Sequence, residues 1–87
     1  MPYEVELRKS AQKEIDALEK RVRERVNVEL RQLTGNPRHF GAIKLEGDPP
    51  AYRSRVGDYR IVYEIDDAAQ RVTVLAVQPR DQVYKRR

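Results

Sequence analysis

Three arginines within eight residues are the part of this sequence best suited to chemistry. They lie in Tyr52-Arg53-Ser54-Arg55-Val56-Gly57-Asp58-Tyr59-Arg60-Ile61-Val62-Tyr63. Two alternating runs around Gly57-Asp58 form a tight β-hairpin pattern, since a two-residue turn needs a residue that tolerates positive φ at its start. This turn pairs Val56 with Tyr59, Arg55 with Arg60, Ser54 with Ile61, Arg53 with Val62 and Tyr52 with Tyr63. Side chains alternate between faces, so Tyr52, Ser54, Val56, Tyr59, Ile61 and Tyr63 form a core face, and Arg53, Arg55 and Arg60 share the other. Like charges directly opposite on a sheet cost about 0.2–1 kcal/mol. A solvated outer face with splayed, salt-screened side chains is one reading of such a cluster. An anion site is the other, because planar guanidinium forks match phosphate oxygens, and it is favoured here because Lys would serve solubility equally well.

The hairpin has to be held by the remaining elements. Glu64-Ile65-Asp66 prolongs its second strand into the loop Asp67-Ala68-Ala69-Gln70, and residues 71–78 form a third strand. With Asp66 opposite Arg71, Val72, Val74 and Ala76 fall on the core face, and Thr73, Leu75 and Val77 make an apolar floor beside the guanidiniums. Pro79 ends the ladder, having no N–H to donate. Near the N-terminus, residues 3–8 alternate as a half-buried strand with Tyr3, Val5 and Leu7 inward. Ser10 is the expected N-cap of a helix whose apolar stripe is Ala11, Ile15, Leu18, Val22, Val26, Leu30 and Leu33. As one helix from 11 to 33 it would run about 35 Å, too long for the sheet it must cover, so a break is expected near residues 19–21. Gly35-Asn36-Pro37 stops the helical pattern. The connection to the hairpin contains the short run Ala42-Ile43-Lys44-Leu45 and a single histidine, His39, read as structural or exposed. The expected fold is therefore α+β: an N-terminal strand, a two-helix hairpin, then an antiparallel three-stranded meander in one small sheet with the helices on one face.

Composition narrows the possible functions. Eighty-seven residues suit one domain spanning 1–87 with one small core. The absence of cysteine excludes disulfides, thiolate catalysis and cysteine-built zinc sites, and one histidine makes a histidine-built metal site implausible, so neither metal nor cofactor is expected. No window approaches a membrane span and Met-Pro-Tyr-Glu lacks the apolar region of a signal peptide, which predicts a cytoplasmic protein. Net charge is +4, and residues 51–87 hold eight basic against five acidic side chains, a bias suited to nucleic acid or an acidic protein partner.

With the basic hairpin face and the tail Arg80-Asp81-Gln82-Val83-Tyr84-Lys85-Arg86-Arg87 in view, the chain resembles the RelE/ParE superfamily of bacterial and archaeal toxins. The resemblance is carried by Lys44-Leu45-Glu46-Gly47, by the run from Tyr52 to Ile65, and by Val77-Gln78-Pro79-Arg80-Asp81-Gln82-Val83-Tyr84. It spans essentially the whole sequence, and the segment from Arg55 to Tyr63 is its most specific part.

The resemblance implies the toxin of a type II toxin–antitoxin pair. Members of its RelE branch enter the ribosomal A site and cut mRNA without a metal, the ribose 2′-hydroxyl attacking the neighbouring phosphate. It assigns the catalytic site to Arg53, Arg55, Arg60, Arg80 and Tyr84: Arg60 on the scissile phosphate, Arg53 and Arg55 on flanking phosphates, Arg80 closing the site, and Tyr84 stacking on a base or moving a proton. Many active members carry Lys in the strand before the turn and Gly-His ahead of the last Arg, whereas this chain has Arg53, Arg55 and Gln78-Pro79. Arginine cannot accept a proton, which leaves Tyr84 as the candidate base. Two alternatives remain open, a ParE-like inhibitor that binds DNA gyrase without nuclease chemistry and a non-catalytic basic RNA-binding module. Either toxin reading implies a cognate antitoxin with an acidic or amphipathic helical segment.

Overall fold

The computed structural model describes residues 2–39 and 41–79. Its elements follow one another as β1 (Glu4–Leu7), α1 (Lys9–Asp16), α2 (Lys20–Gly35), β2 (Ile43–Lys44), β3 (Tyr52–Val56), β4 (Tyr59–Asp66) and β5 (Arg71–Pro79). The strands form one sheet in the order β1-β5-β4-β3-β2, with β1 parallel to β5 and the other pairs antiparallel. Both helices lie on one face. Around the expected meander the sheet thus gains two edge strands, the N-terminal strand beside β5 and the two-residue β2 beside β3.

The helices form because one apolar stripe has a sheet to cover. Ala11, Ile15, Val26 and Leu33 are fully or almost fully buried against Val56, Ile61, Tyr63, Val72, Val74 and Val77, with Leu18, Val22 and Leu30 packed at the margin. Removing Ile61 or Leu33 side chains of this kind from water is worth about 1.5–3 kcal/mol each. The helical break comes at residues 17–19, slightly earlier than expected and without Gly or Pro. Arg23 Nη1 donates to the Leu18 carbonyl at 3.0 Å, covering a backbone acceptor exposed by the turn. Ser10 does not cap α1. Arg8 occupies the cap position, and the Ser10 hydroxyl donates instead to the Leu75 carbonyl at 3.3 Å.

That contact marks a departure in β5. The pairing begins as expected, with Asp66 opposite Arg71, Ile65 opposite Val72 and Tyr63 opposite Val74, and then shifts by one residue, so that Val62 faces Ala76, Ile61 faces Val77 and Arg60 faces Gln78. Leu75 is the extra residue of a β-bulge. Val77 is therefore core, 3% exposed, and Ala76 takes the outer face, the reverse of the sequence-based assignment. The physical reason lies in α1: Glu14 Oε1 accepts the Val77 backbone N–H at 2.7 Å, so the helix satisfies a donor on the shifted strand.

A polar cluster closes the opposite end of the hairpin. Tyr52 and Tyr63, paired across β3 and β4, stack with ring centroids 5.9 Å apart. The buried Tyr63 hydroxyl donates to the Pro37 carbonyl at 2.7 Å, and Arg38 lies 5.4 Å from the Tyr52 ring centroid. Arg38 reaches on to a bidentate pair with Asp67 at 3.0 and 2.9 Å, and the Tyr3 hydroxyl donates to the same carboxylate at 2.7 Å. The Arg38 hydrogen bonds hold the Asp67 carboxyl below its ordinary pKa, while the bond to Asp67 raises that of Tyr3. Burial, reinforced by the Glu29 charge, pushes the Tyr63 hydroxyl up to about 12. No helix among the described residues is long and apolar enough to cross a membrane.

Two outcomes are expected. Glu14→Ala leaves the Val77 N–H without its partner and should cost about 1–3 kcal/mol in urea melts. Tyr63 titrates near 10 in the unfolded chain and higher when folded, so its contribution to stability is complete below pH 10 and fades as pH climbs toward 12. Tyr63→Phe should lower stability at neutral pH by about 1 kcal/mol through the lost hydrogen bond. It should also make the alkaline decline shallower in melts across that range.

Candidate functional site

Opposite the helices the sheet carries a basic cleft. The β3–β4 register is the one expected, with Arg55 opposite Arg60 and Arg53 opposite Val62. Gly57 has φ of +58°, a conformation open to glycine at little cost, and so turns the strands directly into one another. Inward residues Ser54, Val56, Ile61 and Tyr63 are buried, which sends Arg53, Arg55 and Arg60 outward together. These three line a cleft of about 260 Å³ with Gly41 and Ile43.

The charge of the cleft is uncompensated. Among the described residues no carboxylate forms an ion pair with any of the three guanidiniums. The Nε atoms of Arg53 and Arg60, like that of Arg71 outside the cleft, are buried and find no hydrogen-bond partner within the described protein. Arg60 Nη2 has a long contact of 3.4 Å to Gln78 Oε1, an amide that can steer the guanidinium without neutralising it. A phosphate at the exposed guanidinium ends would answer the charge.

Of the five residues assigned by resemblance, Arg53, Arg55 and Arg60 thus meet in one place, whereas Arg80 and Tyr84 lie outside the described residues. The cleft also contains residues the sequence reading did not single out. Ile43, 47% exposed, stands opposite Arg53 on β2 and supplies an apolar wall, and Gln78 reaches Arg60 only because of the bulge. Ile43 was hidden in a two-residue strand too short to show a period. The expected floor of Thr73, Leu75 and Val77 is corrected accordingly: Ala76, not Val77, sits beside Val62.

A second polar group, Ser54, Glu29 and His39, lies on the helix side of the sheet. The buried Ser54 hydroxyl donates to Glu29 Oε2, and His39 Nε2 stands 2.6 Å from the same oxygen. The resemblance to a nucleophilic triad is superficial, because Ser54 is 2% exposed and its hydroxyl is committed to the carboxylate, with the imidazole nitrogen 3.4 Å away. These contacts tie α2 to β3 and to the following loop, which supports the structural reading of His39. Among the described residues no group of three or more His, Asp or Glu side chains is arranged to hold a metal ion.

A helix pair backing a mixed sheet is an architecture shared with a class of small toxins, as comparison with known proteins shows. A family model described as the ParE toxin of the type II toxin–antitoxin system parDE matches residues 5–84, and the chain belongs to this RelE/ParE superfamily of toxins. A RelE-like toxin protein of Escherichia coli is 31% identical over 83 residues, covering 93% of this chain and 86% of that protein. The RelE chain of the archaeal RelE–RelB complex from Pyrococcus horikoshii superposes with a TM-score of 0.82 at 32% identity, covering 92% of this chain and 97% of that one. An arginine-substituted E. coli RelE in the free state gives 0.79 at 31% identity, over 97% and 92% of the two chains. The chain is a toxin of a toxin–antitoxin module, RelE-like in its relatives.

Proposed function

We propose that this toxin is a RelE-like, ribosome-dependent mRNA endonuclease that acts in the cytosol without a metal or cofactor. The observation that carries the reading is the cleft, where three guanidiniums stand on one open surface with no carboxylate of the described chain paired to them. A phosphodiester can be cut there by its own neighbouring group. The 2′-oxygen bonds to phosphorus and gives up its proton, the bond to the 5′-oxygen breaks, and that oxygen takes a proton. Charge accumulates on the phosphoryl oxygens as this happens, and fixed cationic donors aimed at those oxygens lower the barrier.

Arg60, mid-sheet and steered by Gln78, is suited to the scissile phosphate, with Arg53 and Arg55 on its neighbours. Arg80 and Tyr84 are carried over from the resemblance, the first as a further cation and the second as the group that moves the proton. Tyr84 needs nearby guanidiniums to bring its pKa down from about 10. His39 is tied to Glu29 on the helix side and is not suited to that task. The solved RelE relatives held by RelB antitoxins support a cognate antitoxin for this chain as well.

The match to the ParE family model favours a second reading, in which the same fold inhibits DNA gyrase by binding it and leaves message intact. Primer extension on a reporter message in cells expressing the chain, run beside a gyrase supercoiling assay, separates the two. Cut message with working gyrase is the expected result, and Arg60→Ala should reduce cutting by about 100-fold or more with an unchanged thermal melt. Undiminished cutting by a folded variant sinks the role of Arg60. Gyrase arrest with intact message selects the second reading, and RNA binding with neither effect selects a non-catalytic module.

A further inference from the structure

Arg55 belongs to two surfaces. On the open face it lines the cleft with Arg53 and Arg60; at the β3–β4 turn it also lines a groove with Arg25, Val28, Glu29, Val56 and Gly57. Apart from the exposed carboxylate of Asp58 in the turn itself, basic surface therefore continues from the sheet, past the hairpin tip, to α2. Arg25 is exposed and lies against the turn so closely that a Cβ on Gly57 would stand 3.1 Å from its Nη1. Glu29, the acidic residue of this groove, has a carboxylate oxygen already occupied by Ser54 and His39. Among the described residues no carboxylate pairs with Arg25. Beside it Val28 is 46% exposed, an apolar surface against which a ribose or base can rest.

The other end of the open face has the opposite charge. Alternation with inward Val5, Leu7, Ile65 and Val72 turns Glu4, Glu6, Glu64 and Asp66 outward, and they are answered on β5 by Arg71, whose Nε lies 3.4 Å from Glu6. A phosphate chain running along β4 away from the turn, or across the sheet toward β1, would enter a field of its own sign. Leaving across the hairpin tip, it meets a further cation.

We propose that single-stranded RNA held in the arginine cleft passes around the β3–β4 turn onto α2, where Arg25 binds an additional backbone phosphate, while the acidic half of the sheet keeps the strand from β1. This path rests on the RNA reading above and adds to it a direction and a residue remote from the reacting phosphate. Each phosphate neutralised on a single strand contributes about 0.7 to the dependence of log affinity on log salt.

The test uses the full chain and two fluorescein-labelled RNAs, a decanucleotide and a trinucleotide, with 2′-O-methyl riboses so that neither can be cut. Anisotropy titrations over a salt series should show Arg25→Ala flattening the decanucleotide slope by about 0.7 and weakening binding about fivefold at low salt. Trinucleotide binding should be unchanged, and Arg25→Lys should keep the slope. Arg60→Ala should weaken both RNAs, which checks the cleft independently of Arg25. An unchanged decanucleotide slope in Arg25→Ala, or equal loss on both lengths, overturns the path while leaving the cleft reading intact. If the wild-type chain binds neither RNA in a salt-dependent way, both fall. A loss confined to antitoxin binding assigns Arg25 to the protein partner and overturns the path.

Discussion

The ladder between β3 and β4 is the constraint from which the rest follows. Once Gly57 reverses the chain, strict alternation divides the ten residues of the ladder between a greasy side and a cationic one, with no intermediate arrangement. The greasy side needs the helices, because Ile61 and Tyr63 can leave water only under Val26, Leu33 and their neighbours. The cationic side stays uncovered for a reason of the same kind: Arg55 and Arg60 face one another across the ladder, and covering them with a second apolar layer would bury charge without a partner. Core and cleft are therefore two consequences of one register. A slip of a single position would exchange them.

Much of this was legible because two of the patterns have unambiguous periods. The glycine-centred turn set the pairing of Tyr52 through Tyr63, and the stripe from Ala11 to Leu33 identified the covering helices. Legibility failed in β5, where Val74, Leu75, Ala76 and Val77 are all apolar and either parity reads as a core strand. What decides between them is the Glu14 carboxylate, distant in sequence and waiting on α1 for the Val77 N–H. Ser10 was misread for a related reason: its hydroxyl finds the Leu75 carbonyl, a tertiary contact, in place of its own helix terminus. Ile43 could not be recognised as a cleft wall because its strand exists only by pairing with Arg53. The assignments of Arg80 and Tyr84 stand on resemblance, since both lie beyond the described residues.

The cleft also shows how a small domain makes a charged site rigid. No metal ligand set or deep cavity is needed when every arginine is anchored at its Cα in a hydrogen-bonded sheet and its neighbours two positions away are locked into the core. The clamp of Ser54 on Glu29 serves the same end from beneath, since it ties β3, which carries Arg53 and Arg55, to the longer helix.

The parallel pairing of β1 with β5 joins residue 4 to residue 71. β1 has no strand neighbour until β5 is in place, so closure of this long loop is among the last events of folding. The arginine hairpin is local and does not wait for that closure, whereas Gln78 reaches Arg60 only once β5 has joined the sheet. Chain connectivity by itself separates a hairpin that can close early from an edge that must close late.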